Sequence, residues 1–238
     1  MIFGAILAGG TGSRMNIADM PKQFLKLGIK PIIIHTLEKF LLCPDIDKVF
    51  IGVHTSYLMH MEDLISRYVK LRKGDIFITE GGRDRNSTIM NIIGCIEENF
   101  GQSEDSYIIT HDSVRPFVTS RILIDNIEAV RKYDACDTCA GAIDTIVVSQ
   151  DGCMIKDIPD RRIMYQGQTP QSFKINLLKR LYSELSSEEK EVLTDACKIC
   201  VARDIPVYMV KGEISNFKIT TVSDYRIAQA MVGGESLD

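Results

Sequence analysis

The sequence has no tryptophan among its 238 residues and a net charge of only −4, the balance of an ordinary globular chain. It lacks the basic excess that marks a general nucleic-acid binder, so nucleic acid is not an expected partner. No apolar stretch approaches the roughly 20 residues needed to span a bilayer, and no membrane partner is expected. The first residues carry neither a basic leader region nor a cleavage site, which makes the cytoplasm the expected location. Cysteine is present, yet a disulfide framework is not: seven cysteines is an odd number, and the expected compartment is reducing. Cys136/Cys139 and Cys197/Cys200 have C-x-x-C spacing but no glycine-rich knuckle around them. The first pair falls in an expected strand, where residues three apart face opposite ways, and the second on an apolar helical stripe. Core cysteines are expected instead of a zinc site.

Two familiar glycine loops are also missing. Ser13-Arg14 stands after Gly12 where a P-loop needs Lys-Ser or Lys-Thr, and Met15 occupies the third-glycine position of a dinucleotide fingerprint. No acidic ribose-binding residue follows a second strand at the usual distance. What the chain does have is a short apolar strand over residues 2–7 that runs into L-A-G-G-T-G-S-R-M and then Pro21-Lys22-Gln23. Glycines permit positive φ and close backbone approach, so successive amides at Gly9, Gly10 and Gly12 can converge on an anion. Arg14 and Lys22 bracket the loop as a polyphosphate would require. A bare strand-to-helix turn would explain the glycines but not the two cations.

Apolar strands at 2–7, 48–53, 75–79 and 107–110 alternate with helical patterns at 31–42, 57–69, 86–98 and 119–132. That order predicts an α/β, Rossmann-like, mostly parallel sheet with helices on both faces and right-handed crossovers. The length suits one domain over 1–238. Residues 137–165 break the alternation, with β-rich pieces at 138–148 and 154–158 around an Asp151-Gly152 turn, and predict a protruding β-arm. Helices at 174–184 and 188–203, a strand at 206–210 and a last helix from about residue 223 complete the reading.

Ligands in such sheets sit beyond the carboxyl ends of the strands. Thr110-His111-Asp112-Ser113-Val114-Arg115-Pro116 follows the fourth strand, and Asp112 there is a candidate Mg²⁺ ligand, since Mg²⁺ takes one or two carboxylates plus phosphate oxygens and water. His111 is expected to be structural, because phosphoryl transfer asks little proton chemistry of the protein. Gly81-Gly82-Arg83-Asp84-Arg85-Asn86-Ser87-Thr88 follows the third strand; its diglycine allows close approach, and Asn86, Ser87 and Thr88 either cap a helix or read the edge of a base. Lys218, in Asn216-Phe217-Lys218-Ile219-Thr220, suits a second anion, and Thr145 and Arg161 are polar positions on and after the arm.

With these motifs in order, joined by I-D-T-I, Q-G-Q-T-P-Q and T-D-A-C-K, nearly the whole chain resembles the IspD/TarI-like cytidylyltransferases. L-A-G-G-T-G, H-D-S-V-R-P and Q-G-Q-T-P-Q resemble the ribitol-5-phosphate branch, and the methylerythritol-phosphate branch is the alternative. From another class, a non-catalytic nucleotide-binding module would use the same loop. The resemblance implies a divalent-metal-dependent reaction of CTP with an alditol phosphate, giving a CDP-alditol and pyrophosphate, here for teichoic acid or a related polyribitol phosphate. It implies that Arg14 and Lys22 stabilise the transition state. Leu7, Ala8, Gly9, Gly10, Thr11 and Gly12 would hold the nucleotide together with the 81–88 loop, Asp112 and Ser113, and Asp112 would serve Mg²⁺. Thr145, Arg161 and Lys218 would position the alditol phosphate, Thr145 and Arg161 being supplied by the arm of a homodimer partner. Arg83 departs from the acidic residue common in the methylerythritol branch.

Overall fold

The computed structural model describes residues 1–10 and 20–234. Its strands are β1 (Ile2–Ala8), β2 (Lys26–Leu27), β3 (Lys30–Pro31), β4 (Lys48–Val53), β5 (Ile76–Glu80), β6 (Tyr107–Asp112), β7 (Ala135–Gly141), β8 (Tyr165–Lys174) and β9 (Tyr208–Lys211). The helices are α1 (Ile32–Leu42), α2 (Leu58–Tyr68), α3 (Arg85–Phe100), α4 (Ser120–Tyr133), α5 (Ile175–Ser183), α6 (Ser187–Val192), α7 (Ala196–Val201) and α8 (Val222–Gly234). Seven strands form one sheet in the order β5-β4-β1-β6-β8-β7-β9, and β2 and β3 form a separate ribbon. All neighbours in the large sheet pair in parallel except β8, which is antiparallel to both β6 and β7.

The alternation of side chains along β1 explains the two layers. Ile2, Ile6 and Ala8 join one core with residues of α1, α2 and α4. Phe3 and Ala5 face the other way, into a core with α3, α5 and α7. A strand buried on both faces reads as a continuous apolar run, as β1 and β4 do. A third cluster joins Leu25, Leu27 and Ile32 to Val114, Ile219 and Ala228. It ties the segment after Lys22 to the turn after β6 and to the segment around Lys218, so three distant pieces of sequence meet at one end of the sheet.

The expected α/β architecture holds, with three differences. The sequence pattern does not predict β8: Tyr-Gln-Gly-Gln-Thr-Pro-Gln-Ser-Phe-Lys shows no apolar alternation, and Pro170 argues against an interior strand. Pro170 is accommodated where the β7–β8 register shifts, between the pairs Asp137–Gln171 and Cys139–Gly167. The single helix expected over 188–203 is two, α6 and α7, and the Asp195 side chain caps the second by accepting from Lys198 N. The arm is thin: Ala142 N donates to the Met164 carbonyl at 2.9 Å, and further out Val148 and Asp157 form an isolated bridge. All seven cysteines are free thiols.

Candidate active site

A cavity of about 360 Å³ opens at the carboxyl ends of β1 and β6. Leu7, Ala8, Gly9, Gly10 and Lys22 line it, with Gly82, Arg83, Asp84, Arg85 and Thr88 from the second loop and Asp112, Ser113, Val114 and Lys218 across from them. This volume is within the range of small-molecule sites. Thr11, Gly12 and Arg14 lie outside the described residues.

The two glycine loops are packed backbone to backbone. A Cβ on Gly81 would lie 3.2 Å from Gly9 Cα, and one on Gly82 would collide with the Ser87 side chain. Neither glycine has positive φ, nor does Gly9, whose Cβ would lie 3.1 Å from Thr88 Oγ1, so at these three positions the residue type serves close approach and not a left-handed turn.

Gln23 fixes the first loop. Its side-chain nitrogen donates at 2.9 Å both to the Ala8 carbonyl and to the Gly10 carbonyl, and the residue is 3% exposed. Loss of both bonds leaves polar groups without partners, worth about 1–3 kcal/mol each where buried. Gln23→Leu is therefore expected to lower kcat/KM for the nucleotide by about ten- to hundredfold. Steady-state kinetics at varied nucleotide concentration checks this; an unchanged value would deny the loop-fixing role.

The second loop opens α3. Asp84 accepts from Ser87 N at 2.7 Å, and Ser87 Oγ accepts from Asp84 N at 3.0 Å, a reciprocal capping box. Thr88 Oγ1 accepts from Gly82 N at 2.9 Å and donates to the Asp84 carbonyl at 2.8 Å. Asn86 donates to the Leu193 carbonyl. Of the three residues that either cap or read a base, Ser87 caps, Asn86 fastens α3 to the α6–α7 connection, and only Thr88 reaches the cavity wall.

Asp112 is the electrostatic centre. Its carboxylate lies 3.0 Å from Lys218 Nζ, 3.3 Å from Arg115 Nε and 3.7 Å from Arg85 Nε. Burial alone would push the carboxyl pKa up, but the charges of Arg85, Lys218 and Arg115 outweigh it and hold the group well below the ordinary carboxylate range. No group of three or more His, Cys, Asp or Glu side chains is gathered for a metal among the described residues. The Asp112 carboxylate thus lies among three cations at the cavity wall, and a Mg²⁺ ion there would share it with them and take its other ligands from phosphate oxygens and water.

Neighbours that the sequence pattern does not single out support this centre. Arg115 Nη1 donates to the Asn216 carbonyl at 2.8 Å, and Asn216 donates to the Thr169 carbonyl at 2.8 Å. Thr169 Oγ1 accepts from Asp112 N at 3.2 Å and meets His111 Nδ1 at 2.8 Å, while His111 Nε2 meets the Arg115 carbonyl at 3.1 Å. Burial lowers the His111 pKa to about 4, so the neutral ring donates from Nε2 and accepts from Thr169 at Nδ1. His111 is thus a structural spacer. Thr145 and Arg161 are exposed on the arm, and Arg161 Nη1 donates to the Ile143 carbonyl at 2.5 Å. Neither lines the cavity of its own chain.

A model of the IspD family, described as 2-C-methyl-D-erythritol 4-phosphate cytidylyltransferase, matches residues 2–234. The chain belongs to the IspD family. As an IspD-family protein it is a nucleotidyltransferase, of a group whose reactions generally depend on a divalent cation. Ribitol-5-phosphate cytidylyltransferase of Streptococcus pneumoniae serotype 2 (strain D39 / NCTC 7466) is 53% identical over 232 residues, covering 98% of this chain and 99% of that protein. The solved 4-diphosphocytidyl-2C-methyl-D-erythritol synthase of Anaerococcus prevotii is similar at 26% identity and a TM-score of 0.79, over 98% of this chain and 96% of that one. The 2-C-methyl-D-erythritol 4-phosphate cytidylyltransferase of Thermus thermophilus, at 23% identity and a TM-score of 0.74, shares the fold over 98% of this chain and 100% of its own. No helix among the described residues is long and apolar enough to cross a membrane.

Proposed function

We propose that this IspD-family chain, acting as one domain in the cytoplasm, transfers the cytidylyl group of CTP to ribitol 5-phosphate, yielding CDP-ribitol and pyrophosphate for teichoic acid or a related polymer. The observation that carries the choice of alcohol is the 53% identity, end to end, with a ribitol-5-phosphate enzyme, against 26% for a methylerythritol-phosphate structure. In the reaction a phosphate oxygen of the acceptor attacks the α-phosphorus of CTP, and the bond to the bridging oxygen of the departing pyrophosphate breaks. No proton need move, so the protein's task is positioning and preorganised positive charge. Loop 8–10, fixed by Gln23, holds the nucleotide with the 81–88 loop. Lys22 meets charge growing on the phosphoryl oxygens, and Lys218, anchored on Asp112, faces the acceptor phosphate.

The arm is read as a dimer contact. Ile143, Val147, Met154, Ile155, Ile158 and Ile163 are all exposed along it, an apolar surface that a second copy would cover. Thr145 and Arg161 then reach the partner's cavity. The deciding experiment is pyrophosphate release across CTP, UTP and ATP crossed with ribitol 5-phosphate and methylerythritol 4-phosphate. Turnover is expected with CTP and ribitol 5-phosphate, and preference for methylerythritol 4-phosphate would overturn the reading.

A further inference from the structure

A lysine ammonium is a point charge on a flexible stem, and the Lys218 side chain is 40% exposed. Its ion pair does not fix it alone, because Arg115 Nε engages the same oxygen of Asp112, Oδ2. The backbone is placed from two residues earlier. Asn216 is fully buried, and its Nδ2 donates to the Thr169 carbonyl at 2.8 Å and to Gln168 Oε1 at 3.2 Å, both on β8. Its own carbonyl accepts from Arg115 Nη1 at 2.8 Å. On the far side of Lys218, Ile219 N donates to the Val114 carbonyl at 3.0 Å. Lys218 is thus flanked by two residues that are bonded to the turn after β6, and one of them is also bonded to β8.

Gln168 completes the clasp. Its Nε2 donates to the Glu213 carbonyl at 2.8 Å, which also accepts from Asn216 N at 3.1 Å, so the turn 213–216 is tied to β8 at both ends. A Cβ on Gly212 would lie 2.5 Å from Gln168 Oε1, so glycine there gives the amide room to reach Asn216. Asn216 Oδ1 has no partner among the described residues, and the side chain acts through its donors. Gln168 and Asn216 stand in the Q-G-Q-T-P-Q and N-F-K-I-T-T motifs, yet neither lines the cavity. Correctly placed charge is what the transfer asks of the protein. We propose that Asn216, with Gln168 behind it, is a positioning residue for the acceptor phosphate: it sets the Lys218 segment on β8, so that the ammonium is in place before substrate arrives. The inference rests on the reading of Lys218 as the cation that faces the acceptor phosphate.

The test is a double-mutant cycle on Asn216→Ala and Lys218→Ala, read as KM for ribitol 5-phosphate and for CTP, with thermal melting of each variant. Asn216→Ala is expected to raise KM for ribitol 5-phosphate by about tenfold, the lower end of what one hydrogen bond to a charged group contributes. KM for CTP should stay within about twofold, since the clasp serves the acceptor cation. In the double variant Asn216→Ala should add less than about twofold to the loss from Lys218→Ala, because effects that pass through one group are not additive. A residue that only stabilises the fold would cost the same in both backgrounds. Gln168→Ala, which removes one of the two acceptors of Asn216, should act in the same direction and lose less. It decides on the same readings if Asn216→Ala does not melt cooperatively. Unchanged KM for ribitol 5-phosphate in a folded variant, or losses that multiply in the double variant, would overturn the proposal. If Lys218→Ala itself leaves that KM unchanged, the reading of Lys218 fails and the proposal falls with it. If wild type prefers methylerythritol 4-phosphate, the ribitol reading fails, and the same cycle on that acceptor still decides the role of Asn216.

Discussion

Lys22→Ala is expected to lower kcat by about 10²–10³, the loss seen when one preorganised transition-state donor is removed. Lys22 lines the cavity beside Gly9 and Gly10, and it begins a short turn, Lys22–Phe24, whose next residue is the loop-fixing Gln23. Loop and cation are thus held by adjacent residues, so their relative placement survives without the substrate. That is the condition under which positive charge stabilises a developing charge without reorganising first. KM for CTP should change far less than kcat, because the charge Lys22 meets is greatest in the transition state. A pyrophosphate-release assay at saturating substrates measures it. Turnover near that of wild type would remove Lys22 from the chemistry.

Asp112→Asn is the second large effect, and it falls on stability as well as rate. Removing one charge leaves Arg85, Arg115 and Lys218 facing each other without their common anion. Breaking a buried ion pair costs about 3–5 kcal/mol, which for a chain of this size lowers the melting temperature by roughly 6–20 °C. The sign with pH follows from the depressed carboxyl pKa. Stability from such a group is present above the ordinary pKa of 3.8 and is lost as pH falls below it. Wild type and variant should therefore differ fully near neutrality and converge in strong acid. Melting in the presence of a chelator separates this role from metal ligation: a metal ligand's loss would not destabilise a metal-free chain. An unchanged melting temperature with a raised metal requirement would make metal binding the main task of Asp112.

The sequence made the parallel half of the sheet legible because apolar strands buried on both faces announce themselves. The bounds of β4 match the expected 48–53. β8 was invisible for the opposite reason: Gln168, Thr169, Gln171 and Ser172 are buried polar residues, stabilised by partners far along the chain and not by an apolar pattern. That omission carried over to the site. Arg115 gains meaning only once Asn216, 101 residues away, supplies its acceptor. The glycine loops and Lys22 were readable because loop chemistry is written in consecutive residues. Gln23 stood within the same motif, but its task depends on carbonyls 13 and 15 residues earlier, which no spacing rule exposes.

The arm is spliced between β7 and β8, two strands already paired to each other, and its base is closed by bonds from Ala142 N to the Met164 carbonyl and from Arg161 Nη1 to the Ile143 carbonyl. No register elsewhere in the sheet depends on how long the intervening segment is. A change in arm length would therefore leave the pairing of the large sheet, and with it the cavity walls on β1 and β6, in register. A chain given a foreign arm would then keep its own nucleotide loop, since the arm contributes no residue to the cavity of its own chain.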